Sequence, residues 1–152
     1  MAGKLIVFEG VEGCGKTTQI QRSREWLENS GWLGKPPVIV SREPGGTQLG
    51  IGLRRLLLEG NQPPLHDRAE LFLYAADRSQ HVEEVLKPHL ASGAMILCDR
   101  FTDSTVAYQG YGRGLSLSLI DQLNQLAAGG LESDLTLWLD VDVEVGLARA
   151  GR

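Results

Sequence analysis

Residues Gly10 to Thr17 read GVEGCGKT, and this stretch decides the fold. It matches the pattern G-x-x-x-x-G-K-[ST] of a phosphate-binding loop. On one side lies a short β-branched and aromatic run, KLIVFE at Lys4 to Glu9. On the other, from Lys16, the spacing becomes helical, with Ile20, Trp26 and Leu27 among polar residues until Asn29, Ser30 and Gly31 break it. Strand, glycine turn and helix in direct succession is the setting the motif requires, which disfavours the blander reading of a turn that only joins two elements. Gly10, Gly13 and Gly15 allow a tight backbone turn whose N–H groups point inward as an anion cradle, with Val11, Glu12 and Cys14 completing the loop. Lys16 adds a point charge for β- and γ-phosphates, the Thr17 hydroxyl is placed to ligate Mg²⁺, and Thr18 assists at the α-phosphate. The loop therefore predicts a nucleoside triphosphate site.

Further along, Val38 to Val40 forms a second short apolar run that leads into REPGGT at Arg42 to Thr47, and Leu49 to Leu58 has helical spacing. Gly60 to Pro64 (GNQPP) reads as a loop. A long helix is expected from Asp67 to Leu90, ended or bent by Pro88. MILC at Met95 to Cys98 and LTLWLDV at Leu135 to Val141 are further buried-strand candidates, separated by helical stretches around Ser104 to Tyr108 and Ser116 to Ala127. Alternating strands and helices imply an α/β fold. It is read as a P-loop NTPase-type three-layer sandwich, with a mainly parallel sheet flanked by helices and ligands beyond the carboxyl ends of the strands.

At 152 residues the chain is long enough for one core, so 1–152 is read as a single domain. Fifteen Lys and Arg against nineteen Asp and Glu give a net charge of −4, which disfavours nucleic acid or an acidic membrane surface as partner. Trp26, Trp32 and Trp138 are scattered rather than set on a basic face, and Trp26 and Trp138 are expected to be packing residues. Cys14 and Cys98 lack the spacing of a secreted disulfide framework, and no segment has the length of a signal core, so free thiols and a cytoplasmic location are expected. The guanine-reading N-K-x-D and D-x-x-G patterns of switch GTPases do not occur.

Three more clusters follow apolar runs and are expected at the same rim of the sheet: Arg42 with Glu43, Asp99 with Arg100, and Arg78 on the long helix. Asp99 has the position of a Mg²⁺-holding carboxylate, although a turn or capping Asp is the plainer alternative. Arg42 and Arg100 could clamp a second phosphate with the bidentate geometry lysine lacks.

Together these segments resemble the bacterial thymidylate kinase family. The likeness runs through FEGVEGCGKTT (Phe8 to Thr18), SREPGGT (Ser41 to Thr47), YAADR (Tyr74 to Arg78), DRFTDSTVAYQGYGRG (Asp99 to Gly114) and LTLWLDVDVEVGLARA (Leu135 to Ala150). REPGGT and DR-x-x-x-S-x-x-AYQG are its specific parts. The resemblance implies transfer of a phosphoryl group from Mg·ATP to dTMP in the synthesis of dTTP. It implies that Arg42 and Arg100 hold the dTMP phosphate, that Tyr74 stacks on thymine in place of the more usual Phe, and that Arg78, Ser104 and Gln109 hydrogen-bond the base. Tyr108 would pack under the sugar and disfavour a ribose, and Glu12 would reach the acceptor 3′-OH. Gly13 is not the arginine that some members carry in this loop; those without it draw basic residues from a lid, whose beginning Arg149 and Arg152 resemble. The family continues beyond Arg152 into the rest of the lid and a last strand. A homodimer formed through helices is also implied. Kinases for other small acceptors, and a nucleotide-binding module without turnover, remain as alternatives.

Overall fold

The computed structural model describes residues 3–31, 36–59 and 64–151. Trp32, most of the loop expected at 60–64, and Arg152 lie outside them. The chain groups into two compact units: Met1–Ser41, His89–Asp99 and Ser133–Arg152 form the first, Arg42–Pro88 and Arg100–Glu132 the second.

The first unit carries the sheet. Its strands are β1 (Lys4–Glu9), β2 (Val38–Arg42), β3 (Met95–Asp99) and β4 (Leu135–Trp138), in the order β2-β3-β1-β4. β1 pairs in parallel with β3, Lys4 opposite Met95 and Phe8 opposite Asp99, and in parallel with β4, Ile6 opposite Leu135 and Glu9 opposite Trp138. Parallel neighbours require helical crossovers, which accounts for the alternation read in the sequence. β1 is central and β3 is buried along Met95 to Cys98. Helix α1 (Lys16–Ser30) lays Ile20 and Leu27 against Phe8, Met95 and Leu97, and ends at Gly31 in the left-handed conformation.

Two sequence expectations fail here, each for its own reason. β4 is exposed along its length rather than buried, and Trp138 is 72% exposed: β4 is the outermost of the four strands described, with β1 on its one paired side. Trp26 is 57% exposed, since its position on α1 turns away from the face that carries Ile20 and Leu27. Neither tryptophan packs in a core.

The second unit is helical: α2 (Gln48–Leu58), α3 (Asp67–His81) and α6 (Leu117–Ala128) enclose Leu53, Leu71, Phe101 and Ile120. The Thr47 hydroxyl caps α2 by accepting from Gly50 N–H at 2.9 Å. The long helix does not end at Pro88. It widens into a π-turn at Val82–Leu86, with Lys87 N–H donating to the Val82 carbonyl, and continues as α4 (Lys87–Ala91). Proline has no N–H to offer, and the wider turn precedes it. Likewise the helix expected near Ser104 is a short α5 (Thr102–Thr105) running into a second π-turn, Val106–Gly112. Helix α7 (Val143–Ala150) completes the first unit; Asp142 Oδ1 accepts from Glu144 and Val145 N–H at 3.0 and 3.3 Å. No described helix is long and apolar enough to cross a membrane.

Candidate active site

The glycine loop follows β1 directly. Gly10, Gly13 and Gly15 all have positive φ, +149°, +75° and +97°, as the anion cradle requires. At Gly13 space is a second constraint, because a Cβ would run into the Gly146 carbonyl of α7. Lys16 is 8% exposed, and its ammonium donates to the Gly10 and Val11 carbonyls at 3.0 and 3.1 Å, folded over its own loop. Its Nζ is 3.7 Å from the buried Cys14 Sγ. Neither Cys14 nor Cys98 is in a disulfide, as expected. Glu12, Thr17, Thr18 and Arg149 are exposed.

Asp99 ends β3, opposite Phe8 and so beside the strand end that launches the loop. Its Oδ1 is sealed from solvent and has no hydrogen-bond partner. A buried carboxylate oxygen without a donor is costly unless a cation meets it. One carboxylate and the Thr17 hydroxyl are a hard oxygen donor set suited to Mg²⁺, which takes its other ligands from water and phosphates.

In the second unit the structure brings together most of the residues expected at the acceptor. Arg100, just past β3, has φ +74°, a left-handed conformation that costs a non-glycine residue roughly 1–3 kcal/mol. From there its Nη1 donates to Ser104 Oγ at 3.0 Å, and its guanidinium lies 5.2 Å from the Tyr108 ring centroid. Tyr108 is 48% exposed. Tyr74 is half-buried; burial, and then the nearby Glu70 charge, push its phenol pKa up. Gln109 is buried and donates from Nε2 to Glu70 Oε1 at 2.7 Å. Arg42 is exposed, and no described residue accepts a hydrogen bond from its guanidinium.

Arg78 departs most from the sequence expectation. It is 2% exposed and commits four of its five N–H groups: Nε to Glu43 at 2.8 Å, Nη1 to Asn124 at 2.5 Å, and Nη2 to the Phe101 carbonyl and Thr105 at 2.9 and 3.0 Å. One N–H remains for a base. The second Glu43 oxygen lies 2.9 Å from His81 Nδ1. The sequence places Glu43 beside Arg42 but carries no local sign of its buried role, nor of the parts played by Glu70, His81, Thr105, Asn124 and Arg113. These residues pair across tens of positions, 35 for Arg78 with Glu43 and 46 for Arg78 with Asn124, and no local periodicity encodes such contacts.

A parallel sheet with a phosphate-binding loop between its central strand and the first helix, and a carboxylate at the end of the neighbouring strand, defines the P-loop nucleotide-binding class. The comparisons narrow the class. The family model described as Thymidylate kinase matches residues 8–152. A thymidylate kinase of Cyanothece sp. is 66% identical over 160 residues, covering 99% of this chain and 68% of the relative. One of Nostoc punctiforme is 67% identical over 150 residues, covering 98% and 69%. The crystal structure of thymidylate kinase from Ehrlichia chaffeensis superposes with a TM-score of 0.84 at 40% identity, over 99% of this chain and 78% of that one. The chain belongs to the thymidylate kinase family.

Proposed function

We propose that the chain moves the γ-phosphoryl group of ATP to the phosphate of dTMP, giving dTDP and ADP, with the residues named above in the following roles. That it is an enzyme phosphorylating dTMP on the way to dTTP follows from its family; the assignment of roles is ours. The carrying observation is the Gly10–Thr17 loop in its strand-to-helix setting, within a chain that matches the family from residue 8 to residue 152.

The loop N–H groups of Gly10 to Thr18 hold the donor phosphates, and Lys16 leaves its two carbonyl partners for the β- and γ-oxygens. Thr17 and Asp99 hold Mg²⁺, which supplies charge neutralisation on the phosphates. Arg42, exposed with no partner among the described residues, and Arg100 grip the dTMP phosphate. Tyr74 stacks on the base, Arg78 and Ser104 donate to its edge, Gln109 accepts from it, and Tyr108 packs against the sugar. Glu12 meets the 3′-OH, and Arg149 adds positive charge from α7. No covalent enzyme intermediate is needed, because positioning and electrostatics carry phosphoryl transfer.

Three further readings belong with this one. Residues 1–152 act as one kinase domain. Exposed apolar side chains on second-unit helices, Phe72 at 57% and Leu126 at 78%, support a homodimer. Two cysteines outside any disulfide suit a reducing cytoplasm.

Arg100→Ala tests the acceptor clamp. Losing a guanidinium that is already oriented by Ser104 and Tyr108 is expected to lower kcat/KM for dTMP by about 100-fold or more, with KM for ATP nearly unchanged. A fall of only a few-fold contradicts the assignment.

A further inference from the structure

We infer that Glu70 is a positioning residue: it sets which end of the Gln109 side-chain amide faces the acceptor base, and so selects a thymine-type edge over a cytosine-type edge. The inference rests on the proposed contact between Gln109 and the base and adds the group that orients it.

The amide of a glutamine presents a donor on one side and an acceptor on the other, and a half-turn exchanges them. An ionised carboxylate removes that ambiguity, because it can only accept. Gln109 is 3% exposed and gives Nε2–H to Glu70 Oε1 at 2.7 Å. The reversed amide would set Oε1 against a carboxylate oxygen and lose the bond. Glu70 is itself fixed, since Arg113 Nη2 donates to its Oε2 at 2.8 Å and Arg113 Nε to its Oε1 at 3.3 Å. Burial alone raises the Glu70 carboxyl pKa, but the bonds from Arg113 and Gln109 outweigh it and hold the group below its ordinary value, in the ionised form.

The remaining end of the amide is therefore Oε1. Among the described residues nothing donates to it, and it is not one of the atoms sealed from solvent without a partner. Glu70 stands four residues before Tyr74, on the same face of α3, and its charge acts on the Tyr74 phenol. The oriented amide thus belongs to the neighbourhood of the ring proposed to stack on the base. Thymine and uracil carry an N3–H donor on their pairing edge, whereas cytosine carries a bare N3 acceptor. A fixed Oε1 accepts from the first two and repels the third.

The test measures binding by calorimetry, using dTMP, dUMP and dCMP with the parent chain, Glu70→Gln, Gln109→Leu and the double variant. Glu70→Gln keeps the shape but can donate, so it lets the Gln109 amide reverse. It is expected to cut the preference for dTMP over dCMP by about tenfold or more while leaving the dTMP-to-dUMP ratio within about twofold, because those two share the edge being read. In the Gln109→Leu background the same change should have no further effect on the ratio. A general structural role would instead weaken all three ligands together, and that result overturns the inference. If Gln109→Leu lowers the dTMP-to-dCMP ratio and Glu70→Gln does not, Gln109 reads the base without Glu70, and only the inference fails. If Gln109→Leu leaves the ratio unchanged, the underlying reading of Gln109 fails with it. Should Glu70→Gln not fold, nuclear magnetic resonance of the parent decides. One Gln109 side-chain amide proton must exchange slowly with and without dTMP, and fast exchange of both overturns the inference.

Discussion

Asp77 is 1% exposed, and its Oδ1 accepts from Gly45 N–H at 3.0 Å while its Oδ2 has no partner. Burial pushes its pKa up from 3.8 to about 6. Below pH 3.8 the carboxyl is protonated in both folded and unfolded chains; between 3.8 and about 6 only the folded chain keeps the proton, so stability falls as pH rises through that window and stays lower above it. Asp77→Asn keeps an acceptor for Gly45 and cannot ionise. In urea melts between pH 4 and 7 the variant is expected to lose this slope and to be more stable at pH 7, by on the order of 2 kcal/mol. Parallel curves for the two proteins would contradict the burial argument. The neighbouring Arg78 is the opposite case, a buried charge balanced by Glu43 and stacked 5.3 Å from the Phe101 ring centroid. Residue types were legible in the sequence wherever a motif fixed them, as with Lys16, Asp99 and Arg100. The partners that immobilise Arg78 and Gln109 were not, because they come from segments remote along the chain.

At the scale of elements, α7 and the phosphate-binding loop meet through two glycines. A Cβ at Gly146 would stand 2.7 Å from both the Glu12 carbonyl oxygen and Val11 Cγ2, so any side chain there would press into the loop. Intrinsic propensity and packing make opposite predictions for Gly146→Ala. Alanine favours an isolated helix by about 1 kcal/mol, whereas overpacking costs about 1–3 kcal/mol and displaces the loop. We expect packing to win, with lower thermal stability and ATP binding weakened by about tenfold. Unchanged ATP affinity with a raised melting temperature would show that the contact is loose. The sequence anticipated α1 and α2 to within a residue or two, because a glycine cap, a Thr cap and apolar spacing mark their ends locally. It did not anticipate the two π-turns, which change the hydrogen-bond register without changing composition, nor that β4 is outermost among the four described strands, which depends on strand order rather than on its own apolar run.

For the whole molecule, the P-loop fold and family were readable because the loop, REPGGT and the DR-x-x-x-S-x-x-AYQG stretch are contiguous, and contiguous chemistry survives without coordinates. The division into two compact units was not readable, since the chain changes unit at Arg42, His89, Arg100 and Ser133 with no linker-like composition. The proposed homodimer sets an expected mass: sedimentation should give twice the 16.6 kDa of one chain, and Phe72→Asp, at an exposed position of α3, should shift the mass toward one chain. A single-chain mass for the parent at micromolar concentration would contradict the homodimer. ADP release from Mg·ATP with dTMP, dCMP, AMP or no acceptor shows whether the loop and the acceptor residues serve a dTMP-specific kinase. Release with dTMP is expected to exceed the other three reactions by about 100-fold or more. Equal release with dCMP or AMP, or release that does not depend on an acceptor, would contradict it.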